Sequence, residues 1–468
     1  MLAILALVAI VTQDQTPLRA APRESALQQA VLWQGDSLEV RGERLDYLQV
    51  YDHRRERAGY VRVGQVRTYP LDPAAVPELL AIIRFLRDTP GAEALGIGYV
   101  ALFLKAAPPE AIGSEVFDAL GTFADRLAQR ASSRRGKPGD EVIAAHLEVA
   151  AAYGVRLLSF EREGRVQICY DGEAFRRVLA LTSTDKQRAR AALALTRFEC
   201  INPTLGPVER YTLDQWRAET LDRIDGAKLP GFLANRLRLR RAGVWASLAF
   251  HRARRGESPQ EAGTRAVREL AGVNKNELAH GDATAYTEAA VRTGASRWAD
   301  EGPTPPAAAR LAIVTAPGQP GETCIKLIET KRQEQKPLFE RCTYGIVWTA
   351  SAHPAPKGNA LALAVQPLDT WRELWIFRRT TAGWTVDTLP PTTSGPDLGY
   401  IEFAGWLPDG SRVLVAREAR VDGKFKRSFE IIRLDTLEVE KQAESPNSLT
   451  PFYRWQDPAW KRQTIAIR

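Results

Sequence analysis

The chain has 468 residues, too many for one hydrophobic core, so roughly two to four domains are expected. With 44% hydrophobic and 26% charged residues it has the composition of a folded chain, not a disordered one. The net charge of +8 is spread thinly, balanced at nine basic and nine acidic residues over 1–72, 33 against 29 over 73–305, and 22 against 18 over 306–468, so no basic face marks nucleic acid as a partner.

The first element is an apolar run from Met1 through Val11. Its length fits the core of a secretory signal and is too short to cross a bilayer, so residues 1–13 are expected to be a signal segment. A buried N-terminal strand is the competing reading, because no Lys or Arg precedes the run. Beyond it no apolar stretch approaches the roughly 20 residues of a membrane-spanning helix. No membrane span is expected, and a soluble protein in the periplasm or otherwise exported is.

Residues 14–72 read as short strands. Apolar and polar positions alternate in Ser37–Gly42 and Asp46–Asp52, and Gly35, Gly42 and Gly59 punctuate them. Leu18 with Arg19, Gly35-Asp36, Tyr47 with Val50, and Gly59-Tyr60-Val61 together resemble the pattern of bacterial SH3-type (SH3b) domains. Tyr47 and Tyr60 stand where that family commonly has Trp. The resemblance implies a small β-barrel with Tyr47, Val50, Tyr60 and Val61 facing inward and Gly59 in a turn, and it implies recognition of cell-wall peptides or protein partners.

Residues 73–298 change to a helical period, with apolar residues three and four apart and breakers at Thr89-Pro90-Gly91, Pro108-Pro109 and Lys137-Pro138-Gly139. Val155–Tyr170 interrupts this as two strands around a turn at Glu163-Gly164. Within the helical part, Gly96–Ala101 imitates a dinucleotide loop but follows a helix-like segment where a strand is needed. Ser183 and Lys186 have Ser-x-x-Lys spacing without its companion elements, and Ser183, Thr184 and Asp185 read better as helix caps. The five histidines (His53, His146, His251, His280 and His353) include no pair three to five apart. Glu277, His280 and Asp282 lie close in sequence and are the best acid–base or metal candidates, against an ordinary polar loop. One segment carries Arg236, Arg238, Arg240, Arg241, Arg252, Arg254 and Arg255 among apolar residues. The subset Arg236, Arg240, Arg241, Arg252 and Arg255 forms a possible patch for an anionic surface, against the solvated face of a plain helix.

Residues 299–310 are a Pro-rich linker, and 311–468 read as strands to the end. Trp348, Trp406 and Trp455 each open a segment with a polar turn and an alternating strand, and Trp406-Leu407-Pro408-Asp409-Gly410 is the fullest copy. These segments are similar to propeller-blade repeats of the periplasmic Tol-system type. The resemblance implies a docking surface built from about three blades, as a partial propeller, an open sheet stack, or a ring completed by a partner. The seven Trp after residue 340 are expected to fill cores.

The four cysteines fall as sequence neighbours, Cys169 with Cys200 and Cys324 with Cys342. None has zinc or thioredoxin spacing, so disulfides are expected, with free thiols as the alternative. Cys324 and Cys342 lie on neighbouring strand patterns, which brings facing residues within bridging distance.

The expected fold class is multidomain α and β: a small SH3-like β-barrel, an α-helical middle domain with a β-hairpin, and a C-terminal propeller-like antiparallel β domain. The expected function is a non-catalytic envelope binding or scaffold protein with no cofactor, no metal and no catalytic residues. Its partner would be a protein or a cell-wall peptide. An envelope hydrolase with its site assembled in the helical domain is the alternative.

Overall fold

A computed structural model describes residues 7–134, 139–162, 164–301, 310–330, 336–393 and 395–463. The chain divides into two compact units, Met1–Leu205 and Gly206–Arg468. This division falls inside the stretch read as one helical domain. Residues 302–309 of the Pro-rich segment lie outside the described residues. The physical reason for the division is coverage: helices before and after Leu205 bury their apolar faces in different cores.

The first unit opens with strands β1 (Leu7–Val11), β2 (Thr16–Arg19), β3 (Gln28–Leu32), β4 (Ser37–Arg44), β5 (Tyr47–Asp52), β6 (Arg57–Arg62) and β7 (Val66–Pro70). They form one sheet in the order β3-β2-β6-β5-β4-β1-β7. Among the described residues no pairing joins β3 to β7, so the sheet stays open and the closed SH3-like barrel is not formed. Tyr47, Val50 and Val61 are buried and Tyr60 is half-buried. Gly59 lies within β6 and not in a turn, because a Cβ there would strike the Leu18 side chain.

The run expected to be a signal segment is, from Leu7 to Val11, an interior strand paired antiparallel with β4 on one side and β7 on the other. Ala9 and Val11 point into one core with Leu18, Leu38 and Val61, while Ile10 points into another with Tyr69 and the helices. A strand buried on both faces needs apolar residues at every position, which imitates the unbroken run of a signal.

Helices α1 (Val76–Arg87), α2 (Glu93–Ala106), α3 (Ser114–Arg134), α4 (Asp140–Ala152), α5 (Glu173–Ala180) and α6 (Asp185–Leu195) complete this unit, with hairpin strands β8 (Leu157–Arg162) and β9 (Arg165–Tyr170). Glu163 of the expected turn, and Lys137-Pro138 of one breaker, lie outside the described residues. The glycines of the dinucleotide-like string sit mid-helix in α2 and permit close packing. A Cβ on Gly96 would collide with the Phe123 ring, and one on Gly98 with the Gly35 carbonyl. Thr184 caps α6 in a capping box with Gln187, so the Ser-x-x-Lys string is a helix start.

The second unit begins with α7 (Pro207–Asp222), α8 (Gly231–Arg254), α9 (Gln260–Ala271) and α10 (Asp282–Ser296). Strands β10 (Leu311–Pro317), β11 (Thr323–Glu329) and β12 (Phe339–Thr343) make a three-stranded antiparallel sheet. Strands β13 (Ile346–Pro354), β14 (Ala360–Leu368), β15 (Trp371–Thr380), β16 (Gly383–Leu389), β17 (Gly399–Trp406), β18 (Arg412–Val421), β19 (Lys424–Arg433) and β20 (Val439–Ala443) follow. These eight are one continuous sheet, not separated blades: β15 pairs with β14 and β16 and also, parallel, with β17 at Trp371–Gly399. Leu239, Leu270 and Val291 of α8–α10 share a core with Tyr400, Leu414 and Phe429 of the sheet.

The third Trp-led segment departs from the strand expectation. It forms α11 (Thr450–Trp455) and α12 (Pro458–Gln463), with 464–468 outside the described residues. Pro451 and Pro458 stand at first-turn positions, where a missing N–H costs nothing. Phe452 and Trp460 bury their rings against Phe429, with centroids 5.6 and 6.3 Å away. Trp348, Trp371, Trp375 and Trp460 are buried, as core packing requires, whereas Trp455 is exposed.

Candidate functional site

A cleft of about 1150 Å³ opens in the first unit between the strand sheet and helices α2 and α4. Its floor is apolar: Val8 of β1, Leu38 of β4, Leu71 after β7, Ala101 and Leu104 of α2, and Ala151 of α4. Charged side chains of both signs ring it, among them Glu39, Asp52, His53, Arg54, Lys105 and Glu148.

Turn chemistry positions the rim. Asp52 closes β5, and its carboxylate accepts from the backbone N–H groups of Arg54 and Arg55 at 3.0 and 3.2 Å, an Asx turn that aims both arginines back along the sheet. Arg55 then donates to Asp52 at 2.7 Å and to Asp36 at 3.1 Å. Burial works against the charge of Arg55, but the two carboxylates outweigh it and raise its pKa. Arg54 reaches Asp36 at 3.4 Å and Glu148 of α4 at 3.1 Å, tying sheet to helix.

Two further ties brace the same wall. Tyr153 donates to the Gly35 carbonyl at 2.6 Å, and burial pushes its phenol up to about 12, so it stays protonated. The ring Nε2 of buried His146 meets the Asp14 carboxylate at 2.8 Å. Gly35 takes φ +90° beside Ala94, whose carbonyl a Cβ would strike. His53 contacts Glu39 at 2.7 Å, and Glu39 is also held by Arg41; hydrogen bonds from Arg41 and then His53 keep its carboxyl below the usual range.

Among the described residues every acid on this rim has a basic partner. Lys105 does not have an acidic one: it lies exposed on the last turn of α2 with no ion pair. The cleft therefore presents an apolar floor, a braced polar wall and one uncommitted cation.

Of the residues singled out in the sequence, Asp36 and His53 line this cleft and the candidate site residues fall elsewhere. Of the arginines read as a patch, Arg236, Arg241, Arg252 and Arg255 are engaged by acids or backbone carbonyls. Arg236 donates to Asp282 at 2.9 Å, and Arg241 donates to the Leu221 and Ile224 carbonyls. Arg252 pairs with Glu261 at 3.1 Å and Arg255 with Glu257 at 2.7 Å. Burial pulls the pKa of Arg217 down to about 10 against the pull of Asp214, and the charge of Arg240 adds to the lowering. Glu277 and His280 are exposed, and Asp282 is committed to Arg236, so these three do not gather into an acid–base centre.

Cys169 and Cys200 form a disulfide with Cα atoms 5.7 Å apart, and Cys324 and Cys342, directly opposite on β11 and β12, form a second. Glu322 joins the latter pair as the one grouping of metal-ligand types among the described residues, but bridged sulfurs offer no thiolate to a metal. No helix of the described residues is long and apolar enough to cross a membrane.

One cluster escaped sequence reading. Asp214 of α7 is fully buried and accepts from Ser247 at 2.7 Å, Arg217 at 2.6 Å and Arg210 at 3.1 Å, with His251 Nε2 3.6 Å away. Burial opposes its charge, but His251, the arginines and Ser247 prevail and hold it far below the usual carboxylate range. Ser247 and His251 are four apart on α8, which is the signal that could have flagged them. The serine hydroxyl donates to Asp214 and, at 3.3 Å, to Asp369, and among the described residues it makes no hydrogen bond to His251, the pairing that a serine nucleophile needs. The arrangement is a buried structural anchor.

Comparison of the chain with protein-family models, with curated proteins and with solved structures returns no match.

Proposed function

We propose that this chain is a non-catalytic binding or scaffold protein of the cell envelope, and that the cleft of the first unit receives a short peptide with a free carboxylate. The observation that carries this reading is the state of the cleft's charges. Its carboxylates are held by Arg54, Arg55, Arg41 and His53, so none is free to act as a general base, while Lys105 is left to attract an anion. An apolar floor of Ala, Val and Leu side chains suits small aliphatic side chains of a peptide, with the carboxylate placed at Lys105. An SH3-type origin for the strand sheet fits this recognition role, as an analogy of pattern.

Export is part of the same proposal. Its support is the pairing of all four cysteines, which persists in an oxidising compartment. Cell fractionation with non-reducing peptide mapping tests it. Both bridges in the non-cytoplasmic fraction are expected, and four free thiols in the cytosol would refute it.

The binding claim is tested by isothermal titration calorimetry with Ala-rich peptides bearing free or amidated C-termini. Binding of the free acid, weakened about fivefold or more by amidation and by Lys105→Ala, is expected for loss of one charge-assisted contact. Equal binding of both peptides to both proteins would overturn the role given to Lys105.

A further inference from the structure

The eight-stranded sheet of the second unit carries a second, chemically different recess. Its volume is about 840 Å³, and it lies where β15 and β19 end and β18 begins, beside the turns that precede β14 and β18. Arg378, Arg379, Arg412 and Arg433 line it, and Asp435 is the one acid in the lining. Among the described residues no aromatic ring borders it and Leu434 is the one large apolar side chain, so its lining suits neither a sugar face nor an acyl chain.

The arginines are placed in a way that the sheet alone does not favour. Arg412 and Arg433 stand directly opposite each other in the β18–β19 register, and like charges in that position repel. The surrounding acids hold the guanidinium groups mainly by one edge. Glu440 takes Arg412 through Nε at 2.5 Å, while Asp409 meets its Nη1. Asp435 takes Arg433 through Nε and Nη2, and Asp387 takes Arg378 through Nε, with the Leu434 and Asp435 carbonyls on its Nη1. Among the described residues this leaves Nη2 of Arg378, Nη2 of Arg412 and Nη1 of Arg433 without a hydrogen-bond acceptor. Arg379 is exposed and has no ion pair at all. Thr381 and the side chain of Asn359 add neutral polar groups to the same lining.

From this we propose that the recess binds a phosphoryl oxyanion, presented by a soluble phosphorylated molecule or by a lipid headgroup. Several guanidinium groups, each oriented by a carboxylate on one edge, leave N–H donors for a tetrahedral oxyanion with more than one acceptor oxygen. A bound dianion also relieves the repulsion between Arg412 and Arg433. The site is separate from the cleft of the first unit and does not depend on the peptide reading.

The 468-residue chain should be titrated with inorganic pyrophosphate by calorimetry at low ionic strength, and sedimented with phosphatidylcholine vesicles containing phosphatidylglycerol. Saturable pyrophosphate binding tighter than about 1 mM is expected. Arg379→Ala, a substitution at an exposed side chain without an ion pair, should weaken it at least about fivefold with an unchanged circular dichroism spectrum, and Arg379→Lys should weaken it less. Lys105→Ala, in the other cleft, should leave it unchanged. Vesicle binding that pyrophosphate displaces and Arg379→Ala reduces would assign the site to a headgroup, and pyrophosphate binding without vesicle binding to a soluble ligand. Absence of both, or binding that Arg379→Ala leaves unaltered, would overturn the proposal.

Discussion

The rim of the first unit's cleft and the core of the second unit handle charge in opposite ways. At the rim, Arg54 pairs with exposed Glu148 and, like Arg55, with Asp36, and both arginines keep part of their surface in water. In the second unit, Asp214 with Arg217, and Arg372 with Glu402, lie inside the core. The same residue types therefore do different things. Rim pairs add little stability and shape a surface, whereas a buried pair is costly to assemble and costlier to break, because removing one member strands the other charge.

The largest expected effect comes from breaking the deepest pair. Asp214→Ala should destabilise the second unit by about 3–5 kcal/mol, measured by urea denaturation, because buried Arg217 loses this carboxylate and Arg210 is left with Asp369. A loss below about 1 kcal/mol would erase the contrast between the two regions.

Next is a pH effect at another buried carboxyl of the second unit. Burial raises the Glu418 carboxyl to about 7, against the opposing pull of Arg427, while the Tyr400 hydroxyl donates to it at 3.2 Å. The unfolded chain has its carboxyl near 4.3. Between these values the folded state holds the extra proton, so stability is fully present below about pH 4 and falls as pH rises to about 7. Glu418→Gln should remove that fall, gaining about 3 kcal/mol relative to wild type at pH 8. Parallel pH–stability curves for the two proteins would contradict this.

The smallest stability effect belongs to the rim. Arg54→Ala, with its guanidinium at 3.4 Å from Asp36 and 3.1 Å from Glu148, should cost about 1 kcal/mol or less. A cost equal to that of Asp214→Ala would place the rim pairs in the load of the core and remove the distinction.

Elements with a strong local period were legible in the sequence. The spacing of apolar residues located the helices, the Glu163-Gly164 turn marked the β8–β9 hairpin, and the strand alternation put Cys324 opposite Cys342. What failed were inferences that depend on which surface covers which. Leu7–Val11 is apolar throughout because two cores flank it, a fact of the sheet order and not of the run itself. The boundary after Leu205 leaves no compositional mark, since helices on both sides are similar and only their partners differ. Phe452 and Trp460 looked like strand residues until their shared partner, Phe429, was known. The cleft was illegible for the same reason: Val8, Glu39, Lys105 and Glu148 are scattered over 140 residues and meet only in the fold. For the arginines of α8, the sequence shows the positive charges but not the carboxylates of other helices that neutralise them.

The central claim is that the first unit's cleft is a binding surface. Chemical-shift mapping by nuclear magnetic resonance, with the isotopically labelled 468-residue chain titrated by an Ala-rich peptide carrying a free carboxylate, tests it most directly. The account predicts saturable shifts confined to the cleft, at Leu38, Ala101, Leu104, Lys105, Ala151 and Tyr153, and their loss in Lys105→Ala without loss of fold. Shifts that map outside the cleft, or a full set of cleft shifts in Lys105→Ala, would contradict it.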